Sequence, residues 1–355
     1  MSMALFLCPF LQERRFLQQL NMEPVNENKN HSKKGITTMN ENKKMNNTDF
    51  MMAKGTMTLD TFADMMKDAL SSYIEDCTFE VQETKKNNGV VLHGIRIIDP
   101  ESNIAPVIYL DEVFKEYQNG RNFNEIVTMF IENYEKNRLT VDFDVKDIMD
   151  YERVKEKICY KVINTALNKE LLADVPHVPF YDLSVVFYVR IDSIPGQGGS
   201  IMIHNSFLPE WGVDKDMLFE IAKANTQRLL EGKVMPMNDI IADILNDEDC
   251  RVEELLPDED CCMYVATNRE KMNGAAVFLY DSLLSGFADK IGKDFYIIPS
   301  SIHELILLPD VPKINPEHIK GMISEVNSMS VEEEEILSYN LYRYRRETGL
   351  VELVA

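Results

Sequence analysis

Apolar residues recur along this chain with two periods, and the switches between them mark its elements. Leu59, Phe62, Met66, Ala69, Leu70 and Tyr73 follow helical spacing, and Thr58 stands just before them as an N-cap, so the pattern predicts an amphipathic first helix. Phe79 and Val81 then alternate with polar residues, Asn88-Gly89 supplies turn chemistry, and Val90 to Ile98 reads as a strand. A hairpin therefore follows the first helix. Val107 to Leu110 predicts a short strand, and periodicity predicts helices over 111–118, 122–137 and 146–168.

Pro176 and Pro179 punctuate the chain before Leu183–Ile191, whose unbroken apolar run predicts a strand buried on both faces. The loop Pro195–Gly199 joins it to Ile201-Met202-Ile203 as a second hairpin. Asp214 caps a helix running to about Leu230, which places Asn225 as a polar residue on a core face. Met263–Ala266 reads as a strand, Ala275–Ile291 as a helix ended by Gly292, and Phe295–Ile298 as a strand. That connection is long enough for a parallel crossover. A helix from Pro316 to about Asn327 and a hairpin around Glu347-Thr348-Gly349 complete the pattern.

These elements define an α+β fold, with helices packed on mixed or antiparallel sheets built from several hairpins. Residues 21–57 are rich in Asn, Lys and Met and lack hydrophobic periodicity, so 1–57 reads as a disordered N-terminal extension. Met45, Met51, Met52 and Met57 in it mark later starts for the native chain. Two regions follow: 58–174, a helix, a hairpin and further helices, and 175–355, an α+β region interrupted by an acidic linker at 246–260.

Charge narrows the function classes. The net charge is −22, but residues 1–57 carry +3, which leaves −25 on the remainder. Such a body repels nucleic-acid phosphates and suits a basic protein partner. No segment reaches the roughly 20 apolar residues of a membrane helix. The run Ala4–Leu11 lacks the basic flank and cleavage pattern of a signal peptide. Six scattered cysteines without a CxxC pair fit reduced thiols, so the expected location is cytoplasmic.

Candidate chemistry centres on Asp294–Asp310, where two apolar runs flank Pro299-Ser300-Ser301-Ile302-His303-Glu304. In an extended strand Ser301 and His303 share a face, a nucleophile beside a base, while Glu304 points away. A third group then comes from elsewhere, with Asp182 as the candidate and His177 as a further member of the cluster. Against a catalytic role, no G-x-S-x-G elbow is present. The structural reading makes Pro299, Ser300 and Ser301 a hairpin turn whose hydroxyls bind backbone groups, with His303 packed at the strand entrance.

No metal site is expected, since HExxH and paired CxxC spacings are absent, nor does the acidic run 246–260 carry EF-hand spacing. Pro195–Gly199 lacks the dinucleotide and P-loop patterns, so no cofactor is expected. Trp211 reads as a core anchor, and the amide in His204-Asn205-Ser206 as a partner for Asn225.

Several phrases belong together: Asn87-Asn88-Gly89-Val90, Asn103-Ile104-Ala105-Pro106 through Ile108-Tyr109-Leu110-Asp111, Pro176-His177, Trp211-Gly212-Val213, Asn225-Thr226, Thr267-Asn268 and Pro299 to Glu304. With them, the chain from about residue 58 onward resembles a bacterial family known as domain of unknown function 5688. The resemblance implies no activity, cofactor or catalytic residue. The expectation is a non-enzymatic protein-binding module, with a Ser/His-dependent hydrolase and an acidic nucleic-acid mimic that binds a basic protein as alternatives.

Overall fold

The computed structural model describes residues 57–74, 76–100, 105, 107–137, 146–191, 199–240 and 263–354. The expectations for the extension before 57, for most of the Pro195–Gly199 loop and for the acidic run 246–260 lie outside the described residues. The described residues divide into two units, one built from 57–85 and 91–137, the other from 86–90 and 146 onward.

In the smaller unit α1 (Leu59–Tyr73) begins at Thr58, whose hydroxyl accepts from the Thr61 amide at 3.2 Å. Its stripe of Phe62, Met66 and Leu70 is fully buried. Strands β1 (Thr78–Lys85) and β2 (Val91–Ile98) pair antiparallel, and β3 (Val107–Tyr109) lies beside β2. Helices α2 (Asp111–Gln118) and α3 (Phe123–Asn137) follow. Phe62 meets the rings of Phe114, Tyr117 and Phe123 at 5.2, 5.2 and 5.9 Å, so one aromatic knot ties all three helices.

The larger unit opens with the turn at Asn87–Gly89 and the short helices α4 (Lys146–Met149) and α5 (Tyr151–Val154). It then forms β4 (Ile158–Asn164), α6 (Lys169–Asp174), β5 (His177–Phe180), β6 (Leu183–Ile191) and β7 (Gly199–Met202). Next come α7 (Phe207–Trp211), α8 (Lys215–Leu229), β8 (Gly232–Pro236) and β9 (Tyr264–Asn268). A 3-10 turn at Gly274–Leu279 leads into α9 (Asp281–Ile291), then β10 (Phe295–Ser301) and β11 (Glu304–Pro309). The chain continues through α10 (Pro316–Met329), a 3-10 turn at Glu333–Glu335, β12 (Tyr342–Arg345) and β13 (Leu350–Leu353).

Two sheets result: β4-β6-β5 with β7 also on β6, and β13-β12-β10-β11-β9-β8. The principal core joins them, with Ile158, Tyr160 and Val162 of β4, Val185 and Phe187 of β6, and Phe295, Ile297, Leu305 and Leu307 of β10 and β11. The alternate residues Tyr296, Ile298, Ile306 and Leu308 turn to the opposite face and pack on Ile319, Ile323 and Val326 of α10. Strands β10 and β11 are therefore covered on both faces, and every residue of both is buried. Burying each such large apolar side chain contributes about 1.5–3 kcal/mol, which makes this hairpin the anchor of its sheet.

The fold is α+β and its three sheets are antiparallel. Strands β9 and β10 do run the same way, but β11 lies between them, so the helical crossover creates no parallel pair. Two expectations are corrected. The helix over 146–168 is instead two short helices and β4, because burial of six of its seven residues masks the period-two alternation. The helix over 275–291 starts at Asp281, because Tyr280 leaves helical geometry to donate its hydroxyl to the carbonyls of Thr226 and Leu230. No helix among the described residues is long and apolar enough to cross a membrane.

Candidate functional site

The β10–β11 hairpin ends differently from the sequence expectation. Its register shifts between Pro299 and Ser301, and Ser301 then pairs with Glu304. The turn is consequently Ile302-His303, while Pro299, Ser300 and Ser301 complete the strand. Ser301 and His303 are not successive residues on one strand face.

Main-chain groups at this tip are bound in detail. Ile302 N donates to Glu335 O at 2.9 Å, and His303 N to Ser301 Oγ at 3.0 Å. Ile302 O accepts from Ala275 N at 3.2 Å, and His303 O from Thr267 Oγ1 at 2.7 Å. A backbone amide can only donate, so Asn273 N, 3.1 Å from His303 Nδ1, fixes the lone pair there. The proton then sits on Nε2, which faces Glu335 Oε1 at 3.3 Å. Both side chains are about one-tenth exposed, 10% and 11%. Lys271 and Asn273 adopt left-handed backbone (φ 55° and 49°), which aims the Asn273 amide at the imidazole. Gly274 is required next: a Cβ there would stand 2.0 Å from Thr267 Oγ1 and 2.3 Å from His303 O.

An imidazole held between an amide and a carboxylate is half of a hydrolytic constellation. The nucleophile half is not assembled around it. Ser301 is fully buried, and its Oγ accepts from the His303 amide rather than meeting the ring. Ser300 and Glu304 are buried as well. Asp182 belongs to a different cluster, where its carboxylate accepts from Ser338 Oγ at 2.7 Å and from the Tyr342 hydroxyl. Burial, then the bond to Asp182, push the Tyr342 phenol up, opposed by the bond to Ser338. His177 is half-buried on β5, its Nδ1 3.1 Å from Val175 O. His204 is on the surface with Asp174 at 2.7 Å. Among the described residues no group of three or more His, Cys, Asp or Glu converges as a metal site.

No periodicity or motif marks the irregular segment around Glu333–Ser338. Six consecutive carbonyls there accept hydrogen bonds, and side-chain amides supply most of the donors. Asn88 Nδ2 reaches Glu333 O (2.8 Å) and Ile336 O (2.7 Å), and Asn87 Nδ2 reaches Glu334 O (2.7 Å). Asn164 Nδ2 reaches Leu337 O (3.0 Å), Asn327 Nδ2 reaches Ser338 O (2.9 Å), and Ile302 N takes Glu335 O. Asn168 joins by exchanging bonds with Asn88 at 2.8 Å each way. A strand ladder would satisfy such carbonyls regularly; here asparagines from separate elements do so. Asn225, expected to pair near Asn205, instead donates to the carbonyls of Lys155 and Ile158. Trp211 is buried as expected, its indole N–H bound to Ile148 O at 3.1 Å.

At the other end of the six-stranded sheet, β13 forms an edge. Val354 N donates to Leu341 O, which fixes the alternation: Val351 and Leu353 turn their main-chain groups outward. Tyr181, in left-handed backbone at φ 56°, gives its hydroxyl to Val351 O. Tyr181, Leu350 and Leu353 are 49%, 65% and 44% exposed. Beside them lies a cavity of about 280 Å³ lined by Phe180, Tyr181, Phe278, Tyr344, Leu350 and Val351, among others. The ion pair Lys223–Asp281 stands at its rim.

Fold and site together define an α+β protein in which Ser300, Ser301, His303 and Glu304 are buried at a hairpin end and Leu350 and Leu353 are exposed on an edge strand. The chain belongs to the family of unknown function DUF5688, whose model matches residues 59–346. It matches no curated protein and no solved structure.

Proposed function

We propose that this protein acts by binding an extended segment of a protein partner along β13, without chemistry at the Ser-Ser-Ile-His-Glu turn. The observation that carries this reading is the β13 edge itself: the outward Val351 amide and the outward main-chain groups of Leu353, exposed Leu350 and Leu353, and an aromatic-lined cavity alongside, with Val351 O already held by Tyr181. Added strands recognise such edges through main-chain hydrogen bonds and place alternate side chains in adjoining pockets. The −25 charge carried beyond residue 57 favours a segment rich in Lys and Arg.

A photo-reactive residue at position 350 is expected to cross-link one basic partner in native lysate. The same group at position 329, where Met329 is 64% exposed on α10, is expected to give no such product. Equal yields at the two positions, or none at 350, would overturn the reading. Fluorophosphonate labelling that disappears in Ser301→Ala would restore the hydrolase.

A further inference from the structure

The cavity beside β13 joins an aromatic lining to a charged rim. Phe180, Tyr181, Phe278 and Tyr344 are its rings. The Phe180 ring stands 5.0 Å from those of Tyr181 and Phe278, nearly perpendicular to each (75° and 81°), and Tyr344 is backed by Phe295, stacked at 4.9 Å. Tyr181 is held twice, by its left-handed backbone and by its hydroxyl bond to Val351 O. The aromatic surface is therefore built in advance, with little side-chain freedom left to lose on binding.

Two charged groups complete the lining: Lys223 of α8 and Asp281, the first residue of α9. Lys223 Nζ and Asp281 Oδ2 are 3.3 Å apart, and the Asp281 side chain is 86% exposed. A pair so open to water holds together weakly and exchanges partners readily. Burial, then Asp281 and Asp289, push the Tyr344 phenol up, so the field of the Asp281 carboxylate reaches the rings. Aromatic faces attract cations, and the ammonium of Lys223 already stands among them.

We propose that this cavity receives one lysine or arginine side chain of the segment that pairs with β13, its aliphatic stem against the rings and its cationic head at Asp281, in place of Lys223. The inference rests on the β13 reading and adds to it the position that selects the partner. An apolar stem with a charged head matches an apolar lining with a carboxylate at its rim, and the −25 carried beyond residue 57 favours the same sign. An anion is the rival occupant, drawn by Lys223 and by the positive end of α9, but it meets the exposed Asp281 carboxylate.

Nα-acetyl-lysine methylamide and Nα-acetyl-arginine methylamide, charged on the side chain alone, are titrated into the full chain and followed by the NMR shifts of Leu350, Val351 and Tyr344. Nα-acetyl-norleucine methylamide is the uncharged control. The cationic probes are expected to bind several-fold tighter than norleucine, with added salt narrowing the gap. Lys223→Gln should tighten the cationic probes several-fold by removing the internal competitor, and Asp281→Asn should erase their preference, both leaving norleucine unchanged. Phe180→Leu, which keeps an apolar wall and removes a ring, should weaken the cationic probes more than norleucine. Norleucine bound as tightly as lysine and arginine, weaker cationic binding in Lys223→Gln, or no probe bound at these residues would overturn the inference. Cross-linking at position 350 without a charge preference at the cavity sinks this inference alone. A charge preference without cross-linking supports the cation site and sinks the β13 reading.

Discussion

Two hairpin ends of the same sheet have opposite fates. His303 of the turn between β10 and β11 is buried, and three surrounding segments, at Thr267, Asn273–Ala275 and Glu335, bind the turn's Ile302 amide, its carbonyls and its imidazole. The Arg346–Gly349 turn between β12 and β13 emerges at the other end, beside exposed Leu350 and an aromatic-lined cavity. Polar residues with a chemical reputation gather at the first, and undistinguished apolar ones at the second. The comparison teaches that residue type nominates a site while surroundings decide whether it is open to a partner. Ser301 has no exposed surface and its Oγ is bound by the His303 amide; Leu350, on the edge strand, is 65% exposed.

The comparison breaks first at its glycines. Gly274→Ala forces a Cβ against Thr267 Oγ1 and the His303 carbonyl, and should cost about 3 kcal/mol or more, since neither neighbour can yield without breaking the turn. Gly349→Ala meets nothing nearer than Tyr344 Oη at 3.7 Å, and should cost only about 1 kcal/mol for its left-handed backbone. Urea unfolding of both variants reads the contrast, and equal losses would contradict it. Asn88→Ala removes both amide donors and the acceptor for Asn168, leaving buried carbonyls unpaired, so a loss of about 3 kcal/mol is expected by the same measurement.

Ser301→Ala should have a smaller effect, about 1–2 kcal/mol, by depriving the His303 amide of its acceptor. Leu350→Asp is expected to leave stability within about 0.5 kcal/mol while abolishing partner cross-linking, the inverse of the Ser301 result.

Acid should distinguish the ends too. Asp294, close to the open turn, accepts from the Arg346 amide and lies beside Arg345 and Arg343. The Arg346 bond, opposed by burial and aided by those arginines, holds its carboxyl below the usual carboxylate range. A folded pKa below the unfolded one contributes stability that is complete above about pH 4 and lost as pH falls through the folded value. Wild type should therefore exceed Asp294→Asn in thermal stability near neutrality, with the gap closing under acid. A gap that widens on acidification would refute that assignment.

Much of the fold was legible wherever one face of an element meets the core. Thr58 and Asp214 cap the helices they were expected to cap, and α1, the β1–β2 hairpin, β6 and α10 fall where their periods place them. Legibility failed at β4, where apolar residues on both faces leave no contrast for a period to act on. It failed again at Ser301, where the register shift moves the turn two residues onward, a feature of pairing rather than composition. Within the candidate site the residues Ser301 and His303 were visible, but Glu335 and Asn273, which hold the imidazole, were not. Each is brought to it by folding across at least 30 residues.

The asparagine-bound carbonyls also carry a consequence in time. Asn88 and Asn164 precede their acceptors by as many as 248 and 173 residues, so closing these bonds requires ordering nearly the whole intervening chain. On a ribosome, the amides of both emerge long before the carbonyls at 333–338 exist, and water must satisfy them meanwhile. The Glu333–Ser338 segment thus closes late in folding. Hydrogen-exchange protection of the Ile302 amide, which donates to Glu335 O, would date that closure.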